Sequence, residues 1–268
     1  MIDRGKGNVL GVYVDAVDYA AATDKVLDAA RDRRPLALTA LAVHGVMTGV
    51  TDRAHEARLN SFDVVTPDGQ PVRWALNLLH HAHLPDRTYG PTLTLKVVER
   101  CAAEDLPIYL YGSTRPVLDK LSAALTERYP KLTIAGAEPS KFRTAAAGEA
   151  EEIAARITGS GARVVLVGLG CPRQEIFVHA MRPLLSMPLL AVGAAFDYHA
   201  GGLRKPPPWM QQRGLEWLWR LGLEPRRLWR RYLILNPAYL ARLTAQATHL
   251  WPARPADPST TPAAGFPI

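Results

Sequence analysis

Arg163-Val164-Val165-Leu166-Val167-Gly168-Leu169-Gly170-Cys171-Pro172-Arg173-Gln174-Glu175-Ile176-Phe177 is the stretch around which the rest of the chain reads. Val164 to Val167 is an apolar, β-branched run without alternation, the pattern of a strand buried on both faces of a parallel sheet. Gly168 and Gly170 allow a tight turn, Pro172 suits the first position of a helix, and Gln174 and Glu175 fall in its first turn. A helix N-terminus after a glycine turn offers unpaired N–H groups to an anion such as a nucleotide diphosphate. The spacing is not the dinucleotide fingerprint, since Arg173 stands where a third glycine belongs, and no Gly-Lys-Ser/Thr of a Walker loop follows. As a bare pattern, a purely structural turn therefore competes with a ligand site.

Working outward, apolar runs predict strands at Val9 to Val14, Leu36 to Leu41, Val64 to Thr66, Ile108 to Tyr111, Leu132 to Ala135, Val164 to Val167 and Leu189 to Val192. Between them, helices are predicted at Tyr19 to Arg31, Gly69 to Leu79, Thr92 to Glu104, Pro116 to Arg128, Ala145 to Thr158 and Arg173 to Met181. This alternation is the signature of an α/β fold with a mostly parallel sheet covered on both faces. Ligands bind such sheets beyond the carboxyl ends of the strands, so the residues just after each strand matter most. Those residues include Thr39 and His44, then Thr66-Pro67-Asp68-Gly69, then Gly112-Ser113-Thr114, then the quoted glycine turn, and last Phe196 and Asp197. Pro-Asp-Gly is a turn signature in its own right, but its place at a strand end leading into a helix raises Asp68 above the other acids. His80, His81 and His83 cluster without a carboxylate or cysteine at ligand spacing, so no metal site is expected there. The chain also lacks an Asp-x-Asp for a nucleotide-sugar-bound divalent ion.

Composition bounds the remainder. At 268 residues and 48% hydrophobic the chain buries a full core, and its 2 cysteines, Cys101 and Cys171, suggest neither a disulfide framework nor a zinc site. Met1 to Leu10 carries no signal-peptide apolar region and no run is long enough to span a bilayer, so a cytoplasmic setting is expected. The net charge of +7 is unevenly spread: residues 1 to 199 balance, whereas residues 200 to 254 hold 10 basic side chains against Glu216 and Glu224. Trp209, Trp217, Trp219, Trp229 and Trp251, five of the 6 tryptophans, lie in the same quarter. Around a helix opened by Pro225, Arg226, Arg227, Arg230 and Arg231 fall on one arc and Leu228, Trp229, Tyr232 and Leu235 on another. Such a basic, aromatic helix fits an anionic membrane surface; a nucleic-acid surface is the competing use of the same charges. Domains are accordingly expected at 1–200 (α/β core), 201–251 (basic, Trp-rich helical appendage) and 252–268 (disordered tail).

Taken together the motifs resemble the WecG/TagA/CpsF family of bacterial glycosyltransferases. The resemblance is carried by Thr66-Pro67-Asp68-Gly69, Arg87 with Gly90, Tyr111-Gly112, Val167 to Glu175, Val192-Gly193 with Phe196-Asp197 and Gly201, Pro208-Trp209-Met210, Gly214 to Trp217, Arg220-Leu221 and Glu224 to Leu233. It implies a Rossmann-like core and an inverting transfer of an N-acetylmannosamine-type sugar from a UDP-sugar to an undecaprenyl-diphosphate-linked saccharide, in teichoic acid or other cell-surface polysaccharide synthesis. Asp68 would be the catalytic base. Thr39, Arg87, Gly112, Gly168, Gly170, Pro172, Gln174, Glu175, Phe196 and Asp197 would bind substrate. Arg213, Trp217, Arg220, Arg226, Arg227, Trp229, Arg230 and Arg231 would meet the membrane or form a lid. No metal or other cofactor is expected beside the UDP-sugar co-substrate, and no nucleic-acid partner; a homo-oligomer is left open. The protein would be cytoplasmic and peripheral on the inner face of the cell membrane. Two stretches depart from the family pattern: Leu41-Ala42, where an asparagine is common, and Gly90-Pro91-Thr92 after Arg87, where Gly-Ser-Asp is frequent. Two other classes share parts of the pattern, a nicotinamide-linked oxidoreductase and a basic nucleic-acid-binding protein. The first lacks its glycine fingerprint, and the second leaves Asp68, Gln174 and Asp197 unexplained.

Overall fold

The structure, a computed structural model, describes residues 1–203, 206–207, 209–210, 213–250 and 266–268. The side chains of Arg227 and Arg231, Trp251 of the expected appendage and residues 252–265 of the expected tail lie outside the described residues.

Six strands form one parallel sheet: β3 (Leu36–Leu41), β4 (Val64–Pro67), β5 (Ile108–Gly112), β6 (Ile134–Glu138), β7 (Val164–Gly168) and β8 (Pro188–Ala191). They lie in the order β4-β3-β8-β7-β5-β6, and every adjacent pair runs parallel. The Val164 to Val167 run is inside the sheet, as its uninterrupted apolar pattern requires: Val165 and Val167 enter one core cluster, Val164 and Leu166 the other. Helices α1 (Tyr19–Arg31), α5 (Gly90–Ala103), α6 (Arg115–Arg128) and α9 (Ala195–His199) cover one face. On the other face lie α2 (Val43–Thr51), α3 (Arg53–Asn60), α4 (Gln70–His80), α7 (Glu149–Gly159) and α8 (Arg173–Met181). The sheet is thus covered on both faces, as the α/β, Rossmann-like expectation holds.

Several elements depart from the pattern reading. The expected strand Val9 to Val14 is a hairpin, β1 (Asp3–Val9) and β2 (Val12–Val17), outside the main sheet. Leu10 and Gly11 turn it with φ of 57° and 98°, and the Asn8 carboxamide accepts the Gly11 N–H at 2.9 Å. An apolar residue at the turn concealed the break. Strand β6 begins two residues later than predicted. Helices α2 and α3 are absent from the pattern reading; in α2, Gly45, Val46, Gly49 and Val50 are poor helix formers. Packing overrides that weakness: a Cβ on Gly45 would stand 2.3 Å from the Leu41 side chain, so the glycine allows α2 to lie against β3.

The C-terminal quarter forms α10 (Glu216–Leu223), α11 (Pro225–Leu233) and α12 (Leu235–Ala247). The last belongs to the core as much as to an appendage: Tyr239 and Leu243 are buried, the Tyr239 hydroxyl donates to the Pro71 carbonyl at 3.1 Å, and Gln246 accepts the Leu10 N–H at 2.9 Å. Disorder expected of 252–268 does not extend to its end. Phe266 packs edge-on against Phe177 with centroids 5.8 Å apart, the Ala145 N–H donates to the Phe266 carbonyl, and Ile268 is fully buried. Among the described residues, no helix is long and apolar enough to cross a membrane.

Candidate active site

The carboxyl end of β4 places Asp68. Its N–H donates to the Leu41 carbonyl at 3.1 Å, continuing the ladder with β3, and the carboxylate turns to accept the Gly90 N–H at the start of α5, 2.9 Å from Oδ1. A helix N-terminus is a favourable neighbour for a carboxylate. Burial nevertheless raises the Asp68 pKa to about 6, against the opposing pull of the Arg87 guanidinium and the Gly90 N–H. At neutral pH such a group is mostly ionised and close enough to its pKa to take up a proton.

Arg87 is buried beside it, stacked over the Tyr89 ring at 4.3 Å and ion-paired to Glu216 of α10. Burial lowers the affinity of that guanidinium for its proton, but Glu216 more than offsets the effect and the pKa rises. Arg220, half-buried on the same helix, adds positive field at Asp68. The segment that the sequence marked as an appendage therefore reaches the rim of the sheet. A small cleft opens here between Tyr89, Pro91, Thr92, Leu95, His199, Pro206 and Glu216.

The glycine turn after β7 builds the second half. A Cβ on Gly112, whose φ is +111°, would meet the Gly168 carbonyl oxygen at 2.7 Å, so β5 can approach β7 this closely only with glycine there. Gly168 in turn lies against the Phe196 ring, which a Cβ would meet at 2.6 Å; Phe196 is a core side chain, 1% exposed. Gly170 (φ +76°) has open space where its Cβ would be. Pro172 occupies the N-cap of α8, one position before the helix start expected for it, and the Gln174 N–H donates to the Gly170 carbonyl at 2.9 Å. Gln174 and Glu175 are both buried: Gln174 Nε2 donates to Glu175 Oε1 at 2.9 Å, and Thr39 Oγ1 donates to the same oxygen at 3.0 Å. Thr39 thus spends its hydroxyl hydrogen on Glu175. Burial raises the Glu175 pKa, opposed by its bonds from Gln174, Thr39 and Cys171.

The two halves share a seam of small residues. A Cβ built on Gly90 would lie 3.0 Å from Ala40, 3.7 Å from the Val192 carbonyl and 4.0 Å from Asp68 Oδ1, while one on Gly193 would lie 2.8 Å from Gln174 Oε1. Asp68 and Gln174 therefore flank the turn that follows β8, on one rim of the sheet, formed by the carboxyl ends of β4, β3, β8 and β7. Asp197 is half-exposed on α9, and its backbone carbonyl accepts the Gly202 and Leu203 N–H groups.

The remaining expected positions are spread over the C-terminal helices. Trp217 packs against Tyr232 with centroids 5.9 Å apart, and Arg213 lies over Trp209 at 6.0 Å. The arcs read from the helical wheel need one correction: Leu228 is buried, but Trp229 is 44% exposed with Arg230 stacked on it at 5.2 Å, so this tryptophan shares the basic face instead of the packed one. Arg226 is exposed beside it. His80 uses Nε2 on the Asn8 carbonyl at 2.8 Å and His81 closes α4. Sequence reasoning missed Tyr89 and, as an active-site neighbour, Glu216; the Gly-Leu-Glu-Trp motif marked Glu216 without showing that it reaches Arg87.

Among the described residues, one trio of ligand-type groups converges, His55, Cys171 and Glu175, whose donor atoms lie within 4.8 Å of one another. Its chemistry suits a metal poorly. Arg58 Nη1 donates to His55 Nδ1 at 3.0 Å, so Nε2 carries the hydrogen of the neutral ring and has no lone pair to give.

Over 187 residues the chain is 29% identical to an N-acetylglucosaminyldiphosphoundecaprenol N-acetyl-beta-D-mannosaminyltransferase of Bacillus spizizenii (strain W23), covering 69% of this chain and 70% of that protein. A protein of the same name from Bacillus subtilis (strain 168) is 29% identical over 191 residues, 71% of this chain and 72% of its own. Residues 7–252 match the glycosyl transferase WecG/TagA/CpsF family, a span that takes in both halves of the rim and the helices closing over it, and the chain is a glycosyltransferase belonging to that family.

Proposed function

We propose that the protein transfers an N-acetylmannosamine-type sugar from a UDP-sugar to a saccharide carried on undecaprenyl diphosphate, with inversion and without a metal ion. The transferred sugar and the acceptor are those in the names of the two Bacillus relatives, and the UDP carrier is what the family resemblance implies. The observation that carries the chemistry is Asp68: a carboxylate with its pKa near 6, beside a buried guanidinium, on the same rim as Gln174 and the open backbone of Gly170. In this reading the acceptor hydroxyl oxygen attacks the anomeric carbon from the face opposite UDP. Its proton passes to Asp68, and the bond to the UDP oxygen breaks. Positive charge for the departing diphosphate comes from Arg87 and Arg220, fixed donors of the kind that stabilise developing anions.

The membrane assignment rests on the C-terminal helices. Trp209, Leu218, Leu223, Trp229, Leu233 and Ile234 are all exposed large apolar side chains, with Arg213, Arg226 and Arg230 exposed among them. Apolar side chains inserted at the headgroup boundary and arginines over anionic lipid fit a peripheral contact on the inner membrane face. The test is incubation with UDP-N-acetylmannosamine and a synthetic prenyl-diphosphate N-acetylglucosamine, with and without EDTA. A disaccharide product in both is expected; no product from any UDP-sugar would defeat the reading, and loss of product with EDTA would defeat its metal-free part.

A further inference from the structure

We infer that His55 and Arg58, on α3 and outside the rim, are positioning residues that set the orientation of the Gln174 amide by acting through Glu175. The inference deepens the reading of Gln174 as a substrate contact and rests on it. Its basis is a buried cluster of polar groups. Arg58 can only donate, so its 3.0 Å contact makes His55 Nδ1 the acceptor and leaves the ring hydrogen on Nε2. His55 is fully buried and neutral, its pKa lowered to about 4 by burial and by the neighbouring guanidinium. A ring nitrogen of His55 lies within 4.8 Å of the Glu175 carboxylate and of Cys171 Sγ, and Arg58 and Glu175 attract one another. Among the described residues, neither His55 Nε2 nor Glu175 Oε2 has a hydrogen-bond partner, so both are buried with their polarity directed only at this cluster.

Glu175 has no guanidinium in direct contact among the described residues, and burial alone favours its neutral acid. Arg58, with the imidazole dipole between them, favours the carboxylate. An ionised Glu175 accepts hydrogen bonds only, so Gln174 must turn its NH₂ to Oε1, as it does at 2.9 Å. The Gln174 carbonyl oxygen is then left as the free acceptor at the Gly193 turn, where it has no partner among the described residues. The group that Gln174 reads on a substrate must accordingly be a hydrogen-bond donor, a hydroxyl or an amide N–H. Loss of Arg58 would let Glu175 take a proton, and an acid that carries it on Oε1 can donate to a turned Gln174 amide, so the observed orientation would no longer be imposed.

The experiment compares Arg58→Met, Arg58→Lys and, as a control for loosening of α3, Leu59→Val in the full chain. The Gln174 side-chain amide is followed by ¹H–¹⁵N spectroscopy without substrate, its signals assigned by their loss in Gln174→Ala. Arg58→Met is expected to shift that amide pair and to lower kcat/KM for UDP-sugar transfer about tenfold beyond any change in Leu59→Val. Arg58→Lys, which keeps the charge and an N–H donor, is expected to restore both. Unmoved Gln174 signals in Arg58→Met, or turnover no lower than in a Leu59→Val protein of equal Tm, would overturn the inference. If Arg58→Met does not fold, His55→Phe, which keeps the ring volume, is judged by the same two readouts. A wild-type protein that transfers no sugar would refute the proposed function alone, since the amide spectrum still decides the orientation.

Discussion

Asp68 and Glu175 are both carboxylates whose pKa is raised by burial, and their surroundings give them opposite capacities. Asp68 keeps partial exposure, accepts one N–H, from Gly90, and sits in the field of Arg87 and Arg220. Glu175 is fully buried, and one of its oxygens takes two donors, Thr39 and Gln174. A carboxylate with spare acceptor capacity and access can exchange a proton with a bound hydroxyl. One shut inside the core, with no access to a bound hydroxyl, can only hold its neighbours. Shifts in the same direction thus arise at a reactive group and at a supporting one, and access and hydrogen-bond partners tell them apart.

The sharpest way to break this comparison is Asp68→Asn. It should lower kcat by about 10² to 10⁴ with Tm and UDP affinity near those of wild type, because a positioned general base is removed and little packing is lost. Turnover near wild type would shift the base elsewhere. The pH profile comes next. The active form of Asp68 is deprotonated, so kcat/KM should be level above pH 6 to 7 and fall about tenfold per unit below the raised pKa of about 6. A limb at the ordinary aspartate pKa near 3.8 would contradict the burial argument. Glu175→Gln should instead act on stability. Replacing a buried acceptor by a donor against Gln174 or Thr39 costs about 1–3 kcal/mol, read as a Tm lowered by roughly 2–4 °C per kcal/mol, without moving the acid limb. The smallest effect is a gain: Ala42 caps α2 with extended φ and ψ of −95° and 177° and makes no side-chain cap bond. Ala42→Asn should add about 1 kcal/mol and raise Tm, while placing a polar group next to Gly69 on the Asp68 side. A lowered Tm would show that the added side chain clashes at that turn.

Much of the scaffold was legible in the chain. The apolar run Val164 to Val167 identified an interior strand because only a strand covered on both faces carries no polar alternation. Asp68 and Gln174 were legible as rim residues because each follows a strand of a parallel sheet. Where local pattern and packing disagreed, packing won. Gly45 and Gly49 weaken α2 as an isolated helix yet let it press against β3 and α3. Leu10 looked like strand interior but adopts a left-handed turn, with Asn8 bonding across it. Trp229 was assigned to a packed arc by angular spacing alone, and the fold leaves that face of α11 exposed.

The sequence by itself determined the alternation of strands and helices, the concentration of positive charge and tryptophan in the last quarter, and the motifs that carry the family. Periodicity, composition and turn chemistry are local properties, so they survive without coordinates. Tertiary structure alone decided that Glu216 reaches back 129 positions to Arg87, that Thr39 and Glu175 meet across 136, and that His55 and Arg58 stand behind the Glu175 carboxylate. These pairings depend on which strands lie side by side and which helices cross their ends. No spacing along the chain encodes that, because the free energy that selects it comes from burying apolar faces throughout the molecule at once.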